Sequence, residues 1–109
     1  QAAIEKYGTG THGVRTLAGT LDLHRELERT IAEFKGAEDA VTFSSGYVTN
    51  YSVISALLGR GDYVISDKLN HASIVDGCLM SGAKMLRFRH NDMEHLEARL
   101  RQASESNPQ

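Results

Sequence analysis

Ala40-Val41-Thr42-Phe43-Ser44-Ser45-Gly46-Tyr47 is the stretch on which the fold turns. Its first four residues read as a short buried strand, and Ser44-Ser45-Gly46 breaks it. A helix follows from about Val48 to Leu58, with Val53, Ile54, Leu57 and Leu58 apolar, and Gly59 and Gly61 end it. The same order of strand, polar loop and helix comes twice more. Tyr63-Val64-Ile65-Ser66 is a strand, Asp67 to Asn70 a loop, and Ala72 to Met80 a helix closed by Ser81-Gly82. Lys84-Met85-Leu86-Arg87-Phe88 is the third strand. Asn91 then reads as the cap of a fourth helix, with Glu94 as its reciprocal partner and Met93, Leu96 and Leu100 as its apolar face. Such alternation predicts an α/β fold whose parallel strands are joined by crossover helices.

Upstream of the opening stretch, residues 1–20 read as a lead-in loop, rich in Gly and Thr from Tyr7 to Gly13. Thr20 or Asp22 can cap the helix that follows. There Leu23, Leu27, Ile31 and Phe34 recur at helical spacing and predict the buried face. Arg25, Glu26, Glu28, Arg29 and Glu33 fill the other positions, and Gly36 ends the helix. Residues 104–109 read as a polar tail.

The composition sets bounds. The chain has 109 residues, 40% apolar and 24% charged, with a net charge of −2, so it reads as one small α/β domain. The absence of any basic run argues against a general nucleic-acid binder. No apolar run is long enough for a transmembrane helix. The single cysteine, Cys78, allows no internal disulfide, which fits a cytoplasmic setting, and reads as a core residue. The five histidines have no metal-ligand spacing, so no metal site is expected. The chain begins without Met and ends in a polar stretch, which reads as an internal piece of a longer protein.

Ligands of parallel α/β sheets gather outside the carboxyl ends of the strands. Three loops leave those ends: Ser44 to Tyr47, Asp67 to His71, and Arg89 to Asp92. The first enters a helix through small residues, so its backbone N–H groups and the helix dipole suit a phosphate. Gly46 allows close approach, Ser45 offers a hydroxyl, and Tyr47 can flank a flat ring. The same pattern also fits a simple tight turn. His71 can stack on an aromatic ligand or exchange protons, or it can cap the third helix, which the residues alone favour slightly. His90 can reach the site but reads first as solvent-facing, while His24 and His95 read as surface. Arg15 can hold an anion or tie down the Gly-rich loop, with nothing to choose between them.

Four motifs, taken together, resemble the α-oxoamine synthase family of pyridoxal-phosphate-dependent enzymes. That family includes glycine C-acetyltransferase, 8-amino-7-oxononanoate synthase, 5-aminolevulinate synthase and serine palmitoyltransferase. The motifs are Gly19-Thr20 with His24 and Glu26-Leu27-Glu28, Phe43 to Tyr47 with Asn50, Ser66 to Ile74, and His90-Asn91-Asp92 with Leu96. They occur in family order across roughly residues 8 to 100. Asp39-Ala40, Asn70 to Ile74 and Asn91 to Met93 lean towards the glycine C-acetyltransferase branch. Gly19 to Asp22 with His24 is also similar to the serine palmitoyltransferase branch.

The resemblance implies part of the large, cofactor-binding domain of an aspartate-aminotransferase-type (fold type I) enzyme, spanning residues 1–109. It implies pyridoxal 5'-phosphate as cofactor, with Ser45, Gly46 and Tyr47 at its phosphate and His71 stacked on its ring as a catalytic residue. It implies condensation of an amino acid with an acyl-CoA, in a homodimer. The Schiff-base lysine of the family lies downstream, and Lys6, Lys35, Lys68 and Lys84 match none of its positions. The alternative is a noncatalytic α/β module that binds a phosphate-containing ligand or a partner along the same edge.

Overall fold

The computed structural model describes residues 1–106, and they fall into two compact units, Gln1–Thr42 and Phe43–Gln109.

In the first unit, α1 (Ala2–Tyr7) forms where a loop was expected. Tyr7 and Lys6 hold it locally, both reaching the Asp22 carboxylate at 2.7 and 3.1 Å. α2 (Asp22–Lys35) is capped at neither expected position: Leu21 is the N-cap, and its N–H donates to His24 Nδ1 at 2.9 Å. His24 is therefore half-buried rather than a surface residue. Gly36 (φ 66°) closes the helix in the left-handed conformation, its N–H meeting Ala32 and Glu33 carbonyls.

The buried face of α2 is not the apolar stripe. Leu27 and Phe34 are 51% and 84% exposed, while Glu28 and Ala32 are buried. The reason is Arg15. Its guanidinium donates to Glu28 Oε1 at 2.7 Å and to Thr42 Oγ1 at 3.1 Å, and the Thr42 N–H and hydroxyl both donate to Glu28 at 3.0 Å. Arg25 adds a bond to Oε2 at 3.1 Å. Burial of a carboxylate is tolerated when it is ion-paired and hydrogen-bonded in this way. The Thr42 N–H leads in holding the Glu28 carboxyl down at about 2, with Arg15 next. Arg15 thus ties down the loop.

Residues 40–43, expected as a strand, form none among the described residues. A strand requires a neighbour for its ladder, and here the Thr42 N–H is taken by a side chain instead. The described sheet therefore has two strands rather than three.

In the second unit, α3 (Gly46–Leu57) is followed by β1 (Tyr63–Asp67), α4 (Ala72–Ser81), β2 (Lys84–Phe88) and α5 (Met93–Ser106). β1 and β2 pair in parallel, Tyr63 against Lys84 through Asp67 against Phe88, as the crossover order requires. Leu86 is buried on β2, and Cys78 on α4 is 1% exposed, a core residue as expected. Burial raises its thiol pKa. Gly77 sits where α4 meets α3: a Cβ there would lie 3.0 Å from Ile54 Cβ and 3.2 Å from both Asn50 O and Tyr51 Cα.

The cap of α5 is Asp92, not Asn91. Asp92 Oδ1 accepts from the His95 N–H at 2.8 Å and its other oxygen from Arg89. The His95 N–H, then Arg89, keep the Asp92 carboxyl below its ordinary range. Asn91 instead takes the left-handed turn before it, at φ 54°. Residues 104–106 of the expected tail extend α5, and 107–109 lie outside the described residues.

Candidate functional site

The loops at the carboxyl ends of β1 and β2 and the head of α3 all belong to the second unit. Ser45, in extended conformation, is the N-cap of α3. Its Oγ accepts from the Val48 N–H at 3.2 Å, and its carbonyl accepts from Thr49. The N–H groups of Gly46 and Tyr47, in the first turn, have no protein acceptor among the described residues, as expected at a helix start. A Cβ at Gly46 would meet nothing within 4 Å, so backbone approach from that side is unobstructed within this chain.

Tyr47 leans from α3 to α4, where its hydroxyl donates to Asp76 Oδ2. That carboxylate holds the phenol pKa above its ordinary value. The Tyr47 ring meets the His71 ring nearly edge-on, with centroids 6.4 Å apart and planes at 76°. The structure therefore brings two of the expected residues, Tyr47 and His71, into one aromatic corner, with Ser45 and Gly46 adjacent in the chain.

His71 is the N-cap of α4, since its Nδ1 accepts from the Ser73 N–H at 3.2 Å. This is the capping role the residues alone favoured. It uses one ring nitrogen and leaves the ring exposed and Nε2 without a protein partner among the described residues.

His90 is exposed, as expected, and also reaches the sheet edge. Its Nδ1 lies 3.1 Å from Asp67 Oδ2, while Asp67 Oδ1 accepts from the Leu69 N–H at 2.7 Å. The Leu69 N–H, then His90, keep the Asp67 carboxyl below its ordinary range. His12 lies in the first unit and is exposed.

The residues that sequence reasoning missed are the supports: Asp76 under Tyr47, Ser73 and Asn50 behind His71, and Asp67 under His90. Ser73 alone had a local signal, two residues past a capping position. Asp76 comes 29 residues after Tyr47 and had none.

The head of α3 and the N-cap of α4 thus meet at an aromatic corner of an α/β unit. The aminotransferase class I and II family model matches residues 1–109, and the chain belongs to that family. It is 57% identical over 95 residues to an 8-amino-7-oxononanoate synthase of Geobacter sulfurreducens, covering 87% of this chain and 24% of that protein. It is 50% identical over 103 residues to the same synthase of Thermoanaerobacter pseudethanolicus, covering 94% of this chain and 26% of that one. Among solved structures, serine palmitoyltransferase of S. paucimobilis, with PLP and myriocin bound, superposes with a TM-score of 0.85 at 48% identity. That match covers 91% of this chain and 25% of that one. An 8-amino-7-oxononanoate synthase of Francisella tularensis gives 0.72 at 32% identity, over 89% of this chain and 27% of that one.

These relatives are α-oxoamine synthases, the family that the four motifs resemble. None of the four is a glycine C-acetyltransferase, so the lean to that branch gains no support from them. The chain spans about a quarter of the length of the relatives it matches.

Proposed function

We propose that this chain is the part of a pyridoxal-phosphate-dependent α-oxoamine synthase that grips the cofactor, in an enzyme that condenses an amino acid with an acyl-CoA. The observation that carries the reading is the head of α3. The N–H groups of Gly46 and Tyr47 have no protein acceptor among the described residues, and Tyr47 there meets His71 at an aromatic corner. An anion of phosphate size suits those donors and the dipole behind them. The Ser45 hydroxyl hydrogen is free to donate as well, since only its oxygen is used in capping. A flat pyridine ring suits the exposed face of His71.

When bound, pyridoxal phosphate supplies an electron sink that stabilises negative charge on the amino acid α-carbon. The residues of this chain do the holding. Ser45, Gly46 and Tyr47 fix the phosphate, the Tyr47 ring walls one side, and His71 places the substrate through Nε2. The lysine that bonds the cofactor covalently matches no lysine here. The family resemblance suggests a homodimer, and the single cysteine fits a reducing, cytoplasmic setting.

The test is Gly46→Val in the full-length protein. A Cβ at this position meets nothing within 4 Å in this chain, and the melting temperature of the variant checks that the fold is kept. Two charge-assisted bonds would be obstructed, so the cofactor dissociation constant should rise about tenfold to a hundredfold. Unchanged affinity would remove this turn as the phosphate site. His71→Ala is expected to lower turnover with the fold intact, whereas mere unfolding would leave His71 only its capping role.

A further inference from the structure

Ser73 is fully buried, although it lies only two residues from an exposed histidine. Its N–H donates to His71 Nδ1 at 3.2 Å, and its hydroxyl oxygen lies 2.8 Å from the same nitrogen. A backbone N–H can only donate, so Nδ1 must offer a lone pair. A neutral imidazole with a bare Nδ1 carries its hydrogen on Nε2.

The hydroxyl of Ser73 can either donate or accept, and a neighbour decides which. That neighbour is Asn50 on α3, whose Nδ2 donates to Ser73 Oγ at 3.0 Å. The bond fills an oxygen lone pair and leaves the hydroxyl hydrogen for His71 Nδ1. The chain of donors therefore runs one way, from Asn50 to Ser73 to His71.

Capping requires none of this. The Ser73 N–H alone satisfies the cap, and alanine at 73 would keep it. The added hydroxyl and amide have a different effect: they fix the ring's hydrogen on the outer nitrogen and resist rotation of the ring.

We propose that Asn50 and Ser73 are positioning residues that hold His71 in its Nε2–H tautomer, so that the ring meets substrate as a hydrogen donor. The inference rests on the reading of His71 as a residue of the cofactor site. Neither residue touches the ligand in this scheme.

The experiment is nitrogen NMR of ring-labelled histidine in the full-length protein without cofactor, with His71 assigned by its loss in His71→Gln. The expected spectrum shows Nδ1 unprotonated and Nε2 protonated. Asn50→Asp replaces a donor by an acceptor of the same shape. It should draw the Ser73 hydrogen to itself, turn an oxygen lone pair on Nδ1, and move that resonance towards the protonated position. Ser73→Ala removes one donor without reversing the others. Its Nδ1 resonance should move towards that of a free lone pair, and turnover should fall roughly tenfold with cofactor still bound. A protonated Nδ1 in the wild-type protein would overturn the proposal. So would an Nδ1 resonance unmoved in both variants. Because the spectra are taken without cofactor, this failure is separate from that of the cofactor-site reading, which would show as unchanged affinity in Gly46→Val.

Discussion

The two units, Gln1–Thr42 and Phe43–Gln109, solve the same problem by opposite means. Each must fix a Gly- or Ser-rich segment to a helix. The first does it with charge: a buried carboxylate, Glu28, collects Arg15, Arg25 and the backbone of Thr42, while the leucines of the same helix stay exposed. The second does it with close contact: α4 approaches α3 through a position that lacks a side chain, Gly77, and the sheet pairs in parallel behind them. Polar directional bonds hold a loop in one geometry but fail together when one member is lost. Packing against backbone is less directional but has little slack, so even one added methylene is felt.

The largest effect should come from breaking the charged unit. Glu28→Gln keeps the shape but removes the charge that Arg15 and Arg25 share. Amide exchange of residues 8–20 in the full-length protein is expected to rise to nearly unprotected rates. Protection kept at the wild-type level would mean that the loop is held by something else.

The same node should be sensitive to acid. The folded pKa of Glu28, about 2, lies below the ordinary 4.5, so its contribution is complete above 4.5 and fades as pH falls towards 2. Protection of residues 8–20, relative to Glu28→Gln, should shrink across that window and not at neutral pH.

A smaller effect is expected from the packed unit. Gly77→Ala gains up to about 1 kcal/mol in helix propensity. It also forces a methyl group against the Asn50 carbonyl and Tyr51 Cα, where overpacking costs about 1–3 kcal/mol. Overpacking should win, because the opposing atoms are backbone and cannot rotate away, and the urea midpoint should fall. A midpoint at or above wild type would show that the helices can part freely. Smallest is Ser45→Ala, which removes one cap and should cost about 1 kcal/mol, read from the same urea curve. A larger loss would mean that Ser45 holds more than its own helix.

The sequence made the second unit legible and the first only in part. Strand-loop-helix order located β1, β2 and the helices between them, because the apolar runs there are short and bounded by Gly and Asp. On α2 periodicity located the apolar stripe but not the residue that this quarter-length chain buries. Leu23, Leu27, Ile31 and Phe34 make a good apolar stripe, yet Glu28 is the residue buried, because a partner 13 positions earlier outweighs the pattern. The strand at residues 40–43 was misjudged for a related reason, since pairing depends on a neighbour that local sequence does not encode. At the candidate site the motifs led to Ser45, Gly46, Tyr47 and His71. Of their supports, Ser73 lies two residues from His71 and was within reach of local reading, whereas Asn50 and Asp76 are joined by contacts between helices that no spacing rule reports.

Gly77 has a further consequence for heredity. Tyr47 and His71 stand at the heads of two helices whose separation is set partway along their length, at a position with no side chain. The gauge of the aromatic corner is therefore written in a codon remote from the corner itself. A lineage could exchange side chains at the corner and keep its width, whereas a single added methyl at 77 would press α3 and α4 apart.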